Sequence, residues 1–183
     1  MPSDKRKNLP LDVVVSEFDK STDIPVERVR EWMRNESLEV LGAVYGLITD
    51  ERKHYLRIKP NLSREDYYTF IMHYLERCMR ENPESKWANS RYAAGWDFVN
   101  WFKHYWNDSE SPRSIPAEFR DRLGKLLKEG DEEVRISIIT AILEHLFEDN
   151  DIKKYFKEWL ADPILRSAYE EATGYAAELK KGQ

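Results

Sequence analysis

The chain has 183 residues, of which 41% are apolar and 13% aromatic, enough to build a core and unlike a disordered chain. Its 34 acids against 29 bases leave a net charge of −5, which disfavours a general nucleic-acid binder with its strong basic surplus. A single cysteine excludes an intrachain disulfide framework and any zinc site that needs two or more thiolates.

Residues 1–24 are polar and mixed, with short apolar pieces over 9–15 that fit a helix, a strand or an arm. They are expected to form an N-terminal extension ahead of one domain over 25–183. A secretory signal is not expected. The basic Lys5, Arg6 and Lys7 are followed by Leu9-Pro10-Leu11-Asp12, and the apolar Val13-Val14-Val15 breaks at Ser16-Glu17. No window approaches the roughly 18 apolar residues of a membrane span, so a cytoplasmic protein is expected, with no membrane partner.

From Ile24 a helical pattern begins, with Asp23 as cap, Pro25 in the first turn, and Val26, Val29 and Met33 along one stripe. Over 37–50, Leu38, Leu41, Val44, Tyr45 and Ile48 recur at spacings of three and four. Asp50 to Lys53 is a charged break, and 54–59 fits a short strand or an extended connector ended by Pro60. Ser63 followed by Glu65 and Asp66, with Leu62 as a staple, predicts a capped helix running to about Glu81 and stopped by Asn82-Pro83. The stretch 85–106 carries two adjoining apolar stripes and is expected to be a central helix, with Trp96, Trp101 and Trp106 in the core. Within it Ala93-Ala94-Gly95 forms a notch where a neighbouring helix can come close. After a polar loop over 107–114, Phe119, Leu123, Leu126 and Leu127 mark a helix that Gly130 ends. Asp131-Glu132-Glu133 opens a second central helix, apolar on all sides from Val134 through Phe147. Acidic residues at 148–151 break the chain and cap the next helix, Asp162-Pro163 opens the last one, and the tail 180–183 should fray. The expected architecture is all-α: a single-domain, irregular bundle of about eight helices.

Few residues carry recognisable chemistry. His73 and Cys78 lie five apart on one helix, so their side chains diverge by roughly 140°. Only one Glu-x-x-His pair occurs, Glu51 with His54, where a carboxylate-bridged di-iron site needs two, which removes that reading. His104, His145 and Glu144 are the one combination able to make a metal site, if their helices converge; no metal or other cofactor is expected. Cys78 lies in an apolar stripe and is expected to be inert. There is neither a Gly-x-Ser-x-Gly elbow nor a glycine-rich phosphate loop.

The acidic group Glu144, Glu148, Asp149 and Asp151, with His145 beside it, admits two readings. One of Asp149, Asn150 and Asp151 is needed as a helix cap. Glu144 and Glu148, however, oppose the dipole of the helix they end, which costs a few tenths of a kcal/mol to about one. That placement suits a negative face steering a basic partner. Among the aromatics, Trp32, Trp87 and Tyr92 are the candidates for surface anchors.

From about Leu56 to Ala172 the order of features resembles a family of small helical bacterial proteins that act as immunity proteins beside secreted toxins. The residues that carry the likeness are Arg57-Ile58-Lys59-Pro60, Leu62-Ser63, Tyr74-Leu75-Glu76-Arg77-Cys78, Trp87-Ala88-Asn89-Ser90-Arg91-Tyr92, Trp101-Phe102, Leu143-Glu144-His145-Leu146-Phe147-Glu148, and Tyr155-Phe156 with Trp159, Asp162, Leu165 and Tyr169. None of these pieces is a catalytic signature. The resemblance implies a non-enzymatic protein that binds and blocks a partner protein, here a basic toxin. Two alternatives remain at this point. One is a metal-dependent hydrolase on His104, His145 and Glu144. The other is a regulatory small-molecule binder with a pocket lined by Trp96, Phe98 or Trp101.

Overall fold

The computed structural model describes residues 9–50 and 53–179. The basic start of the expected N-terminal arm, residues 51–52 of the charged break, and the tail at 180–183 lie outside the described residues. The protein is all-α apart from one two-residue parallel pairing among the described residues. Its backbone divides into two compact units. The first comprises the described residues up to Cys78 together with Asn82–Ser90, and the second Met79–Glu81 with the described residues from Arg91 onward.

In the first unit α1 (Leu11–Lys20) is a helix that buries Val14 and packs on α3, so the segment left between helix, strand and arm is helical over this span. Its end is tied down by Arg57, which donates to the carbonyls of Phe18 and Ser21 and lies 4.7 Å from the Phe18 ring centroid. Arg28 forks onto the Glu17 carboxylate at 2.7 and 2.5 Å and holds that carboxyl below its usual range.

The helix expected from Ile24 starts two residues later, as α2 (Val26–Trp32). A residue preceding proline is pushed away from helical angles, so Ile24, before Pro25, and Lys59, before Pro60, are both extended. They meet as the strands β1 (Ile24–Pro25) and β2 (Ile58–Lys59), with Ile24 opposite Ile58 and both side chains buried. Spacings of three put Val26, Val29 and Trp32 on one buried face of α2. Trp32 is therefore core, 1% exposed, rather than the surface anchor expected.

α3 (Leu38–Thr49) shows why one glycine is needed: a Cβ on Gly42 would lie 1.8 Å from the Trp87 carbonyl oxygen. The backbone of 82–90 runs against the helix there. α4 (Arg64–Glu81) begins with the expected capping box. Ser63 Oγ accepts from the Asp66 amide at 3.0 Å, and Asp66 accepts from the Ser63 amide at 3.2 Å. Asp66 also accepts from Arg30 at 2.8 Å; this guanidinium first, and then Ser63, hold its carboxyl down at about 2.

In the second unit α5 (Arg91–Asn107) starts six residues later than the sequence pattern suggests. The Ser85 hydroxyl accepts from the Trp87 amide and helps to set residues ahead of Arg91 in a turn. Arg91 is buried and works on the end of α4: Nε donates to the Met79 carbonyl at 2.7 Å and Nη2 to that of Arg80 at 3.3 Å, while Nη1 meets Glu133 at 2.8 Å. Terminal helix carbonyls lack intrahelical donors, so a fixed cation there both satisfies them and complements the dipole.

α6 (Ser114–Glu129) and the run α7 (Glu132–Ile138), a wide π turn (Ile139–Leu143) and α8 (Glu144–Leu146) pack on α5. α9 (Asn150–Tyr155), a tight 3-10 turn (Lys157–Ala161) and α10 (Pro163–Leu179) complete the unit. The core is an aromatic chain: Phe98 on Phe119 at 4.9 Å, Phe102 on Phe156 at 5.8 Å, Phe156 on Phe147 at 5.6 Å. Leu143 is buried as expected. Trp96 is exposed, Trp101 and Trp106 are half-buried, and Ile136 is exposed, so both helices have an outward side that hydrophobicity alone does not reveal.

Candidate functional site

That outward side belongs to the second unit. Tyr92 and Trp96 stand one turn apart on α5, 54% and 47% exposed, and Ile136 on α7 is 50% exposed. Scattered exposed apolar residues need no explanation, but Tyr92 and Trp96 share a strip of α5, and a neighbouring side chain meets each of them.

Gly95 is the reason the strip exists. A Cβ at this position would sit 2.8 Å from the Ala141 Cβ, so only glycine lets α5 lie this close to the π turn. The notch predicted at Ala93-Ala94-Gly95 is thus used. The close approach brings the Tyr92 hydroxyl to 3.2 Å from Thr140 Oγ1 and stacks the Trp96 indole on the His145 ring, with centroids 4.2 Å apart. The π turn contributes too: the Glu144 amide reaches back five residues to the Ile139 carbonyl, while the Thr140 hydroxyl donates to the Ile136 carbonyl at 2.9 Å. His145 Nδ1 in turn lies 3.1 Å from Glu148 Oε1. From Tyr92 to Glu148 this is one linked set, with rings in the middle and a carboxylate at the edge.

The five residues singled out as a partner face divide between two places. Glu144, His145 and Glu148 lie at the end of α8, with Glu144 half-buried and Glu148 exposed. Asp149 is the cap of α9, accepting from the amides of Asp151 at 2.8 Å and Ile152 at 3.2 Å. Asp151 pairs with Lys154 at 3.0 Å on the exposed first turn. Among the acids, then, Asp149 has an evident structural task, and Glu148 is the one joined to the aromatic strip. Trp96 was missed as a member of this surface. The available signal was the four-residue spacing from Tyr92 to Trp96, already a surface candidate and its neighbour on the second apolar stripe.

The metal-dependent alternative does not find its geometry. Among the described residues no group of three or more His, Cys, Asp or Glu side chains is placed to hold a metal ion, so His104, His145 and Glu144 do not converge. His104 is exposed on α5 against Trp101 and Tyr105, whereas His145 is engaged by Trp96 and Glu148. Trp96 and Phe98 point roughly 200° apart on α5, one to solvent and one into the core. Cys78 is fully buried.

No protein-family model, curated protein or solved structure matches the chain. Fold and site define a helical protein with a fixed aromatic strip and an acidic edge. No helix among the described residues is long and apolar enough to cross a membrane.

Proposed function

We propose that the protein is a non-enzymatic binding module, an immunity or antitoxin-like inhibitor acting in the bacterial cytoplasm, which meets a basic partner protein through the strip Tyr92–Trp96–His145–Glu148. The observation that carries this reading is the pair of large exposed rings, each held by a second side chain from the π turn or α8. Aromatic anchors are typical centres of protein interfaces, and a ring already fixed loses little conformational freedom on binding. Glu148, with Asp149 and Asp151 beyond it, supplies an acidic rim that attracts a basic surface and raises the association rate.

The test is binding to the basic protein encoded by an adjoining reading frame, followed by surface kinetics at several salt concentrations. Trp96→Ala is expected to weaken binding at least tenfold with little change in melting temperature, because the ring is half in solvent. Glu148→Gln is expected to slow association and flatten its salt dependence. A complex indifferent to both substitutions, or no complex at all, refutes the reading.

A further inference from the structure

We propose that the first unit contains a separate binding site, for an uncharged, planar aromatic or heteroaromatic small molecule that carries a carbonyl acceptor. A cleft of about 610 Å³ lies between α1, α2, α3 and the 82–90 segment, all within this unit. That volume is the size of a small-molecule site. Phe18, Tyr45 and Trp87 give it aromatic walls, and α3 adds the small residues Gly42, Ala43 and Gly46 among larger ones. Aromatic walls suit a planar ring, which can stack on them.

Two polar features give the slot a direction. Trp32 lines it, and the Trp32 indole N–H is a buried donor with no hydrogen-bond partner. Buried donors are nearly always paired, so an orphan on the wall of a cleft marks where an acceptor belongs. Elsewhere in the lining, Asp50 accepts from the His54 amide at 3.1 Å and lies 2.7 Å from His54 Nδ1, which fixes the imidazole edge-on to Phe18 and leaves Nε2 as its other polar atom. Both signs occur in the lining: Asp19 and Asp50 oppose Lys86, whose ammonium lies 5.6 Å from the Trp87 ring centroid. An anionic ligand gains little from two carboxylates against one ammonium, whereas a neutral carbonyl compound matches the indole donor. The site does not depend on the partner-binding reading.

Quinolin-2(1H)-one is a suitable probe, titrated into the full ¹⁵N-labelled chain with the tryptophan indole signals assigned by triple resonance. A saturable shift of the Trp32 Nε1–H signal with a submillimolar dissociation constant is expected. Naphthalene, which lacks the acceptor, should bind at least fivefold more weakly and leave that signal in place. A Cβ on Gly46 would meet no atom within 4 Å, so Gly46→Trp can fill the slot without disturbing the core; it should weaken the probe at least tenfold. Ala43→Leu, a second filling variant, should also weaken it. No saturable shift at Trp32, shifts confined to other signals, or equal probe affinity in a folded filling variant would overturn the proposal.

Discussion

Replacing Arg91 by Ala should destabilise the protein by about 3 kcal/mol. The estimate rests on what the guanidinium touches. A hydrogen bond from a charged group contributes roughly 1.5–3 kcal/mol, and Arg91 makes one short bond, to the Met79 carbonyl at 2.7 Å, and one long bond, to the Arg80 carbonyl at 3.3 Å. Both acceptors belong to the last turn of α4, where no further helical amide is available, so truncation leaves them without this donor. The third contact contributes little: the Glu133 side chain is 78% exposed, and ion pairs of that kind are typically worth about 0–1 kcal/mol. Urea unfolding followed by far-ultraviolet circular dichroism is the assay. With a slope of about 2 kcal/mol per molar, the midpoint should fall by about 1.5 M for Arg91→Ala and by less than about 0.5 M for Glu133→Gln. Arg91→Lys should recover less than half of the loss, because one ammonium cannot reproduce the fork that reaches both carbonyls. A loss below about 1 kcal/mol for Arg91→Ala, or equal losses for the Arg91 and Glu133 variants, would refute the claim that the carbonyl contacts dominate.

Asp66 has a folded pKa of about 2, below its ordinary value, so its contribution is fully present above about pH 4 and is lost as the pH falls towards 2. The difference in urea midpoint between the unaltered protein and Asp66→Asn should therefore shrink across that window; a constant difference would mean that Arg30 and Ser63 do not act through the charge. The two glycines of α3 should behave oppositely. Gly46→Ala should raise stability by about 0.5–1 kcal/mol through helix propensity, and Gly42→Ala should lower it sharply, since the new Cβ meets the Trp87 carbonyl. Thermal melts of the two variants check this, and a stabilised Gly42→Ala would show that the 82–90 segment can move aside. Cys78, fully buried, should react with a thiol reagent only at the rate of opening, so native protein labels far more slowly than protein in denaturant; equal rates would place the thiol at the surface.

Much of the helical punctuation was legible in the sequence because it is written within four residues. Ser63 with Asp66, Asp131 before Val134, Asp149 before Ile152 and Asp162 before Leu165 are all side chains accepting from amides two or three positions on, as their types and spacing indicate. Lys59, before Pro60, fits the extended end expected there, whereas Ile24 was expected to start a helix although it too stands before a proline, a signal of equally short range. The candidate site was legible only in its parts. His145, Glu148 and Tyr92 stand out in the sequence, but nothing local says that Gly95 admits Ala141, and it is this contact that brings Tyr92 to Thr140 and Trp96 to His145. Trp32 and Trp96 show the limit plainly. By pattern the first suits a surface and the second a core, yet the structure buries Trp32 with Val26 and Val29 and leaves Trp96 half in water. Caps are decided by amides next door in the chain, so sequence determines them; which stripe of an apolar helix meets solvent is decided by partners forty or more residues away, so only the packed structure does.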